Sequence, residues 1–281
     1  MALCAASAGG GADAASAIAA ARRLVRTDAV AKAGGSATAL VVRVSRGSDA
    51  VELANFGDCA AALLRPTPRR FKMPKNAMVL WPRVVVRTAE QTHFFNCPYQ
   101  VAAEDADEDD SELGGATVDS LSAQAKPGDI IVVASDGVWD NLDDDHIQRL
   151  VAEKVATLWA SAGRHGAMFP EKELATISDD ALAFETPSAV LAFLAETIAA
   201  EAIKVGASND RTPFERTAQQ EGIKGLQGGK ADDVTVVVLL IVSDEAKFTA
   251  DDESMMHNFA EFASVDHAAV AADAAYDAEI L

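Results

Sequence analysis

The stretch Pro127–Leu142, PGDIIVVASDGVWDNL, constrains the fold more than any other part of the chain. Pro127-Gly128-Asp129 reads as a turn, and Ile130-Ile131-Val132-Val133-Ala134 follows as an unbroken apolar run. Four β-branched residues in a row, with glycine on either side, predict a buried strand and not a helix. Asp136 then stands where a rigid strand ends, so its carboxylate is held in place. Gly137 would let a ligand or metal approach the backbone closely. An Asp-Gly pair after a strand is by itself most often a plain turn.

A second stretch changes that balance. Lys230-Ala231-Asp232-Asp233 carries paired carboxylates and runs into Val234–Val242, another apolar strand. If the two strands are antiparallel neighbours, the end of one lies beside the start of the other, and Asp136 meets Asp232 at one sheet edge. Carboxylates gathered in that way need a cation between them, or one must take up a proton.

The remaining chain supplies the layers around these strands. Residues 1–12 are small and Gly-rich and are expected to be flexible. From Asp13 to Ala33, Ile18, Ala21, Leu24 and Val25 recur at helical spacing with Arg22, Arg23 and Arg26 opposite. A transit peptide would share that Ala/Arg-rich, acid-poor composition; the helix is preferred. Ala37–Val44 and Ala50–Phe56 predict a hairpin, and Gly57-Asp58 turns the chain into Cys59–Arg65. Residues 66–82, with four prolines, read as a basic loop inserted in a hairpin, and residues 102–126 as an acidic loop with no sheet signal. Ile147, Leu150, Val151, Val155, Leu158 and Trp159 mark a helix after Asp143–Asp145. A second helix runs from Thr186-Pro187 to Gly206. The expected architecture is α+β, an antiparallel β-sandwich of two sheets flanked by helices, over residues 13–243, with an acidic tail at 244–281.

Charge narrows the partners. The formal net charge is −19, with seven acids within residues 104–112 and ten acids against one lysine from Asp244 onward. Such blocks repel and stay solvated. Arg65–Arg87 carries seven basic residues and no acid, a solvated hairpin or a basic surface that steers phosphorylated partners; nucleic acid is not an expected partner. No apolar run reaches the ~20 residues a membrane span requires. Three cysteines, Cys4, Cys59 and Cys97, have no metal-ligand spacing and point to a reducing, intracellular setting.

ASDGVWDNL followed by GGKADDVTVVV resembles the type 2C family of metal-dependent Ser/Thr protein phosphatases. Asn55-Phe56-Gly57-Asp58 is similar to that family's N-x-G-D turn, and Gly34-Gly35-Ser36-Ala37-Thr38-Ala39 to its G-S-T-A strand start. The segment from Gln91 to Gln100, together with Thr212-Pro213-Phe214, resembles the organellar branch, which implies a mitochondrial or plastid location. The resemblance implies Mg2+ or Mn2+ held by Asp136, Asp232 and Asp58, with Asp233 and Gly137 in support, acting on phosphorylated proteins through a metal-activated water. Hard cations take oxygen ligands, in keeping with an aspartate set. Asp140 is read as a helix cap, His93 as a structural histidine and Trp139 as core.

The family also carries an earlier D-G-x-G-G motif, whose aspartate bridges two metals, and an upstream arginine that grips phosphate. The only acids before Gly57 are Asp13, Asp28, Asp49 and Glu52, and none precedes a glycine pair. The resemblance therefore implies a domain that begins about a third of the way in, with D-G-x-G-G expected upstream in a longer form. The alternative is an inactive relative that serves as a phosphoprotein-binding or regulatory module.

Overall fold

Ile130–Ala134 is an inner strand buried on both faces: none of its five residues is more than 4% exposed in the computed structural model. The structure describes residues 2–7, 13–27, 36–44, 49–70, 78–102, 118–164 and 187–242. The chain opens with β1 (Ala2–Ser7), α1 (Ala14–Thr27), β2 (Ser36–Val44), β3 (Ala50–Phe56) and β4 (Ala60–Arg70). Next come β5 (Met78–Arg87), β6 (Thr92–Phe94), β7 (Cys97–Pro98), β8 (Val101–Ala102) and β9 (Asp119–Gln124). The second half holds β10 (Ile130–Ala134), α2 (Asp136–Trp139), α3 (Asp144–Arg164), α4 (Pro187–Gly206), α5 (Pro213–Gln220) and β11 (Val236–Leu240).

Two main sheets form a sandwich. One has the order β1-β2-β3-β9, with β8 also paired to β2; the other has the order β11-β10-β4-β5. Leu40, Val42, Val51 and Leu53 of the first sheet meet Ala61, Leu63, Ile131 and Val133 of the second in a shared core. The alternate residues of the second sheet, among them Ala62, Leu64, Ile130 and Val132, face α2, α3 and α4 through Val138, Ile147, Val151, Leu194 and Ile198, with Leu142 between α2 and α3 in the same cluster. On the far side, Ala14 and Ile18 of α1 cover Ala39, Ala54 and Phe56. The layers are helix, sheet, sheet, helix, as the hydrophobic pattern predicts. Each fully buried Leu, Ile or Val side chain contributes ~1.5–3 kcal/mol relative to exposure.

Local chemistry fixes the helix starts. Asp13 Oδ1 accepts from the Ser16 backbone N–H at 2.7 Å, and Asp143 Oδ1 from that of His146 at 3.0 Å, each capping the helix it precedes. Among the described residues, no helix is long and apolar enough to cross a membrane.

The structure departs from the sequence expectations in four places. Residues 2–7, expected to be flexible, pair in parallel with β2, from Ala2 opposite Thr38 to Ser7 opposite Arg43. Both ends of the basic stretch 66–82 are ladder: β4 and β5 stay paired through Pro66 opposite Pro82 and Pro68 opposite Leu80, while residues 71–77 lie outside the described residues. Pro66, Pro68 and Pro82 are tolerated because β5 is an edge strand and β4 leaves β10 after Leu64, so neither backbone owes a further strand a donor there. Within the stretch read as an acidic loop, β9 pairs with β3 from Asn55 opposite Asp119 to Ala50 opposite Gln124. Thr212-Pro213-Phe214 starts a helix, α5, that the apolar spacing does not announce. Residues 28–33, the core of the acidic loop and the 244–281 tail lie outside the described residues.

Candidate metal centre

The antiparallel pairing brings three chain segments to one end of the second sheet. Ala60 of β4 lies opposite Ala134 of β10, and Ala134 opposite Val236 of β11. Asp58 precedes Ala60 by two residues, Asp136 follows Ala134 by two, and Asp232 precedes Val236 by four. The three sequence-predicted ligands therefore project from the same edge.

Ser135 locks the β10 and β11 ends together. Its N–H donates to Thr235 O at 3.1 Å, its hydroxyl donates to Asp233 O at 3.1 Å, and its Oγ accepts from the Thr235 N–H at 3.0 Å. Gly137 packs against the same segment, and a Cβ there would collide with the carbonyl oxygen of Asp233. The glycine is thus required by approach of the chain's own backbone. Asp233 is exposed, and its carbonyl, not its carboxylate, joins this junction.

At the centre stands a residue that motif reading passed over. Lys230 Nζ lies 2.9 Å from Asp136 Oδ2, 2.8 Å from Asp140 Oδ2 and 3.0 Å from Asp232 Oδ2. The ring of Phe214 lies 5.5 Å from the ammonium on another side. The lysine is delivered by a tight strap. Gly228 has φ +82°, and side chains at Gly228 or Gly229 would run into the carbonyls of Ser208 and Val205 at the end of α4. Asp140 is the helix cap it was expected to be, closing α2 with its backbone N–H on Asp136 O at 2.8 Å, and its carboxylate, left free by that cap, turns to Lys230.

The electrostatics follow from crowding. Burial, and then the charge of Asp136, push the Asp58 carboxyl up to about 6. Burial also raises Asp140, with Lys230 opposing it. Asp232 is held below the usual carboxylate range: burial works the other way, but the hydrogen bond and charge of Lys230 win. Burial disfavours the Lys230 charge, yet Asp140 and the hydrogen bonds to Asp136 and Asp140 drive it well above the ordinary lysine value. Glu90, from the segment after β5, adds a further acid: burial lifts it to about 7 against the pull of Arg87. Its side chain is still 37% exposed, so solvent screens part of that shift. A cleft of about 440 Å3 opens beside Asp140, lined by Arg87, Glu90, Trp139, Asp143 and Arg216 among others.

The donor set suits a hard divalent cation in kind, since every candidate ligand is a carboxylate oxygen. Three carboxylates already converge on one positive point, with the ammonium as stand-in ion. Oxygens 2.8–3.0 Å from a nitrogen are too far out to coordinate a metal at that same point, and among the described residues no three His, Cys, Asp or Glu are grouped to hold one as they stand. Binding would draw the ring inward and require the lysine to leave.

Other residues fall where their chemistry suggests. Trp139 is 3% exposed and donates Nε1 to Ala60 O at 3.0 Å and Ala134 O at 3.2 Å, a core residue as expected. His93 is exposed and packs at a tilt of 58° against Tyr99, with ring centroids 4.0 Å apart. The hairpin carrying it reaches the site through Phe95, whose ring lies 5.0 Å from Phe214. Lys230 had one signal in the sequence, a lysine between a glycine pair and an acid pair. Glu90 had none; it is brought in by the Gln91 N–H, which donates to Gly57 O at 2.8 Å.

No family model matches the chain. A protein of rice, Oryza sativa subsp. japonica, that bears the name of a protein phosphatase 2C is 29% identical over 218 residues, covering 76% of this chain and 52% of its own length. The protein phosphatase PTC7 homolog of Danio rerio is 27% identical over 209 residues, covering 74% of this chain and 56% of its own. The chain spans about half the length of the curated relatives it matches. The X-ray structure of the photosystem II phosphatase PBCP has a TM-score of 0.43 and 22% identity, covering 69% of this chain and 60% of that one. By sequence, the chain is similar to proteins named as type 2C protein phosphatases.

Proposed function

We propose that the chain contributes to metal-dependent hydrolysis of phosphoserine and phosphothreonine in proteins. The observation that carries this reading is the convergence of Asp136, Asp140 and Asp232 on a single cationic point, beside Asp58, at one end of a rigid sheet. Asp136 and Asp232 would hold Mg2+ or Mn2+, with Asp58 as a further ligand and Asp140 as either a ligand or a partner of one. Bound there, the ions would neutralise phosphoryl oxygens and lower the pKa of a water. The protein's own part is to fix the carboxylates: β10 and β11 hold their ends together through Ser135, so little reorganisation is needed when charge develops. The cleft beside Asp140 would receive the phosphorylated segment, with Arg87 and Arg216 on its walls.

A second reading, a phosphoprotein-binding relative without turnover, is favoured by one observation: Lys230 holds the place at the centre of the ring. One experiment separates the two. Hydrolysis of a phosphothreonine peptide is measured for the chain and for Asp136→Ala, with Mn2+ and with chelator. Turnover that needs Mn2+ and disappears in the variant supports the phosphatase. Peptide binding by a folded chain with no turnover supports the second reading.

A further inference from the structure

We infer that Lys230 is a built-in counter-ion of this site, which holds the carboxylates in register while metal is absent and must swing out for a divalent cation to enter. The inference rests on the metal reading of the aspartates and adds a device that sets metal affinity.

The position of the lysine is not an accident of a loose side chain. Asn141, 4% exposed, accepts from the Lys230 N–H at 2.9 Å and donates to its carbonyl at 2.8 Å, and the Gly228-Gly229 strap is wedged against the end of α4. The Lys230 backbone is therefore fixed, and only its four-carbon stem is free to move. The ammonium touches one oxygen of each of three carboxylates, on a side chain that is 16% exposed. Removing it would leave Asp136, Asp140 and Asp232 repelling one another around an empty centre. A divalent cation drawing those oxygens to roughly 2.0–2.6 Å cannot share the ring with an ammonium, because two positive centres would lie within a few ångströms of each other. Metal entry and lysine exit are one exchange. The side chain keeps a solvent-facing part, 16% exposed, by which the stem can leave.

The test is Mn2+ binding by isothermal titration to the chain, Lys230→Gln, Lys230→Arg and, as a control for overall charge, Lys204→Gln. Amine-reactive labelling of the unmutated chain, with and without saturating Mn2+, is read out by peptide mass. Lys230→Gln is expected to bind Mn2+ roughly tenfold or more tightly, because no ammonium competes, while Lys230→Arg and Lys204→Gln stay near the parent value. Labelling of Lys230 should rise several-fold on metal addition, with Lys204, 75% exposed, unchanged. Should Lys230→Gln fail to fold, labelling of the parent chain decides the matter. Metal binding by the parent with no gain in Lys230→Gln, or with Lys230 still shielded, overturns the inference and leaves the metal reading standing. Absence of Mn2+ binding in both the parent and a folded Lys230→Gln overturns both.

Discussion

Asn141 grips Lys230 by both of its backbone groups and, through the same Nδ2, also donates to the carbonyl of Gly137 at 2.9 Å. One buried amide thus ties α2, which begins with Asp136, to the strap that carries Lys230. Two chain segments almost ninety residues apart share their positioning through it.

Replacing Asn141 by Ala should accordingly do more than empty a small volume. It leaves the Lys230 N–H and two carbonyls without their partner, at an expected cost of about 2–4 kcal/mol. Asn141→Asp keeps the acceptor, loses the donor and adds a charge to the acidic end, so it should be no better than alanine. Urea unfolding of the chelated protein checks this. A loss below about 0.5 kcal/mol for Asn141→Ala would show that the strap is held elsewhere.

Gly137→Ala tests the closeness of β11 to α2. The added methyl would meet the Asp233 carbonyl, a backbone atom that cannot rotate away. The junction must open, and Asp136 and Asp232 move apart with it. The expected destabilisation is at least about 2 kcal/mol, with the inter-strand bonds of Ser135 among the first lost. Amide hydrogen exchange at Ser135 and Thr235 gives the readout: faster exchange at both is expected, and unchanged protection would contradict the packing.

Asp58 makes the chelated protein sensitive to pH. Its carboxyl titrates near 6 when folded against 3.8 as the ordinary value, so the folded state binds the extra proton between those limits. Stability from this group is full below about pH 3.8 and is lost as pH rises through about 6. Asp58→Asn removes the penalty. Relative to the parent it should gain up to about 2 kcal/mol at pH 7.5 and nothing at pH 3.5, a difference that chemical denaturation at the two pH values reads directly. An equal effect at both would place the cost of Asp58 in packing and not in charge.

Much of this arrangement can be read from the chain, and the limits are physical. Ile130–Ala134 declares itself because a strand buried on both faces needs apolar residues at every position. The antiparallel partner beginning near Val234 then carries Asp232 to Asp136 by topology alone. The bounds of α4, Pro187 and Gly206, coincide with the proline and glycine that mark a helix start and end. By contrast, β9 is Asp-Ser-Leu-Ser-Ala-Gln, with Leu121 its one large apolar residue, and it becomes a strand because β3 offers it an edge. The central place of the Lys230 ammonium is not legible, for a related reason. Where its ammonium points depends on Asn141 and on the end of α4, contacts that no local spacing encodes.

Thr212 shows how a single hydroxyl can connect that distant strap to local helix chemistry. It is 1% exposed, caps α5 by accepting from the Glu215 N–H at 3.2 Å, and donates to Gly228 O at 2.8 Å. Glu215 returns the contact, its Oε2 accepting from the Gly228 N–H at 3.0 Å. Both backbone groups of Gly228 are therefore satisfied from the first turn of α5, and the strap cannot loosen without fraying that helix. Thr212→Ala should cost about 1–2 kcal/mol, the scale of a lost helix cap, whereas Thr212→Ser, which keeps both hydrogen bonds, should cost well under half as much. Because α5 also carries Phe214 against the Lys230 ammonium, the alanine variant should make Lys230 more reactive toward amine reagents in the metal-free protein. Lys230 labelling equal to that of the parent would mean that the lysine is held by its carboxylates alone, independently of α5.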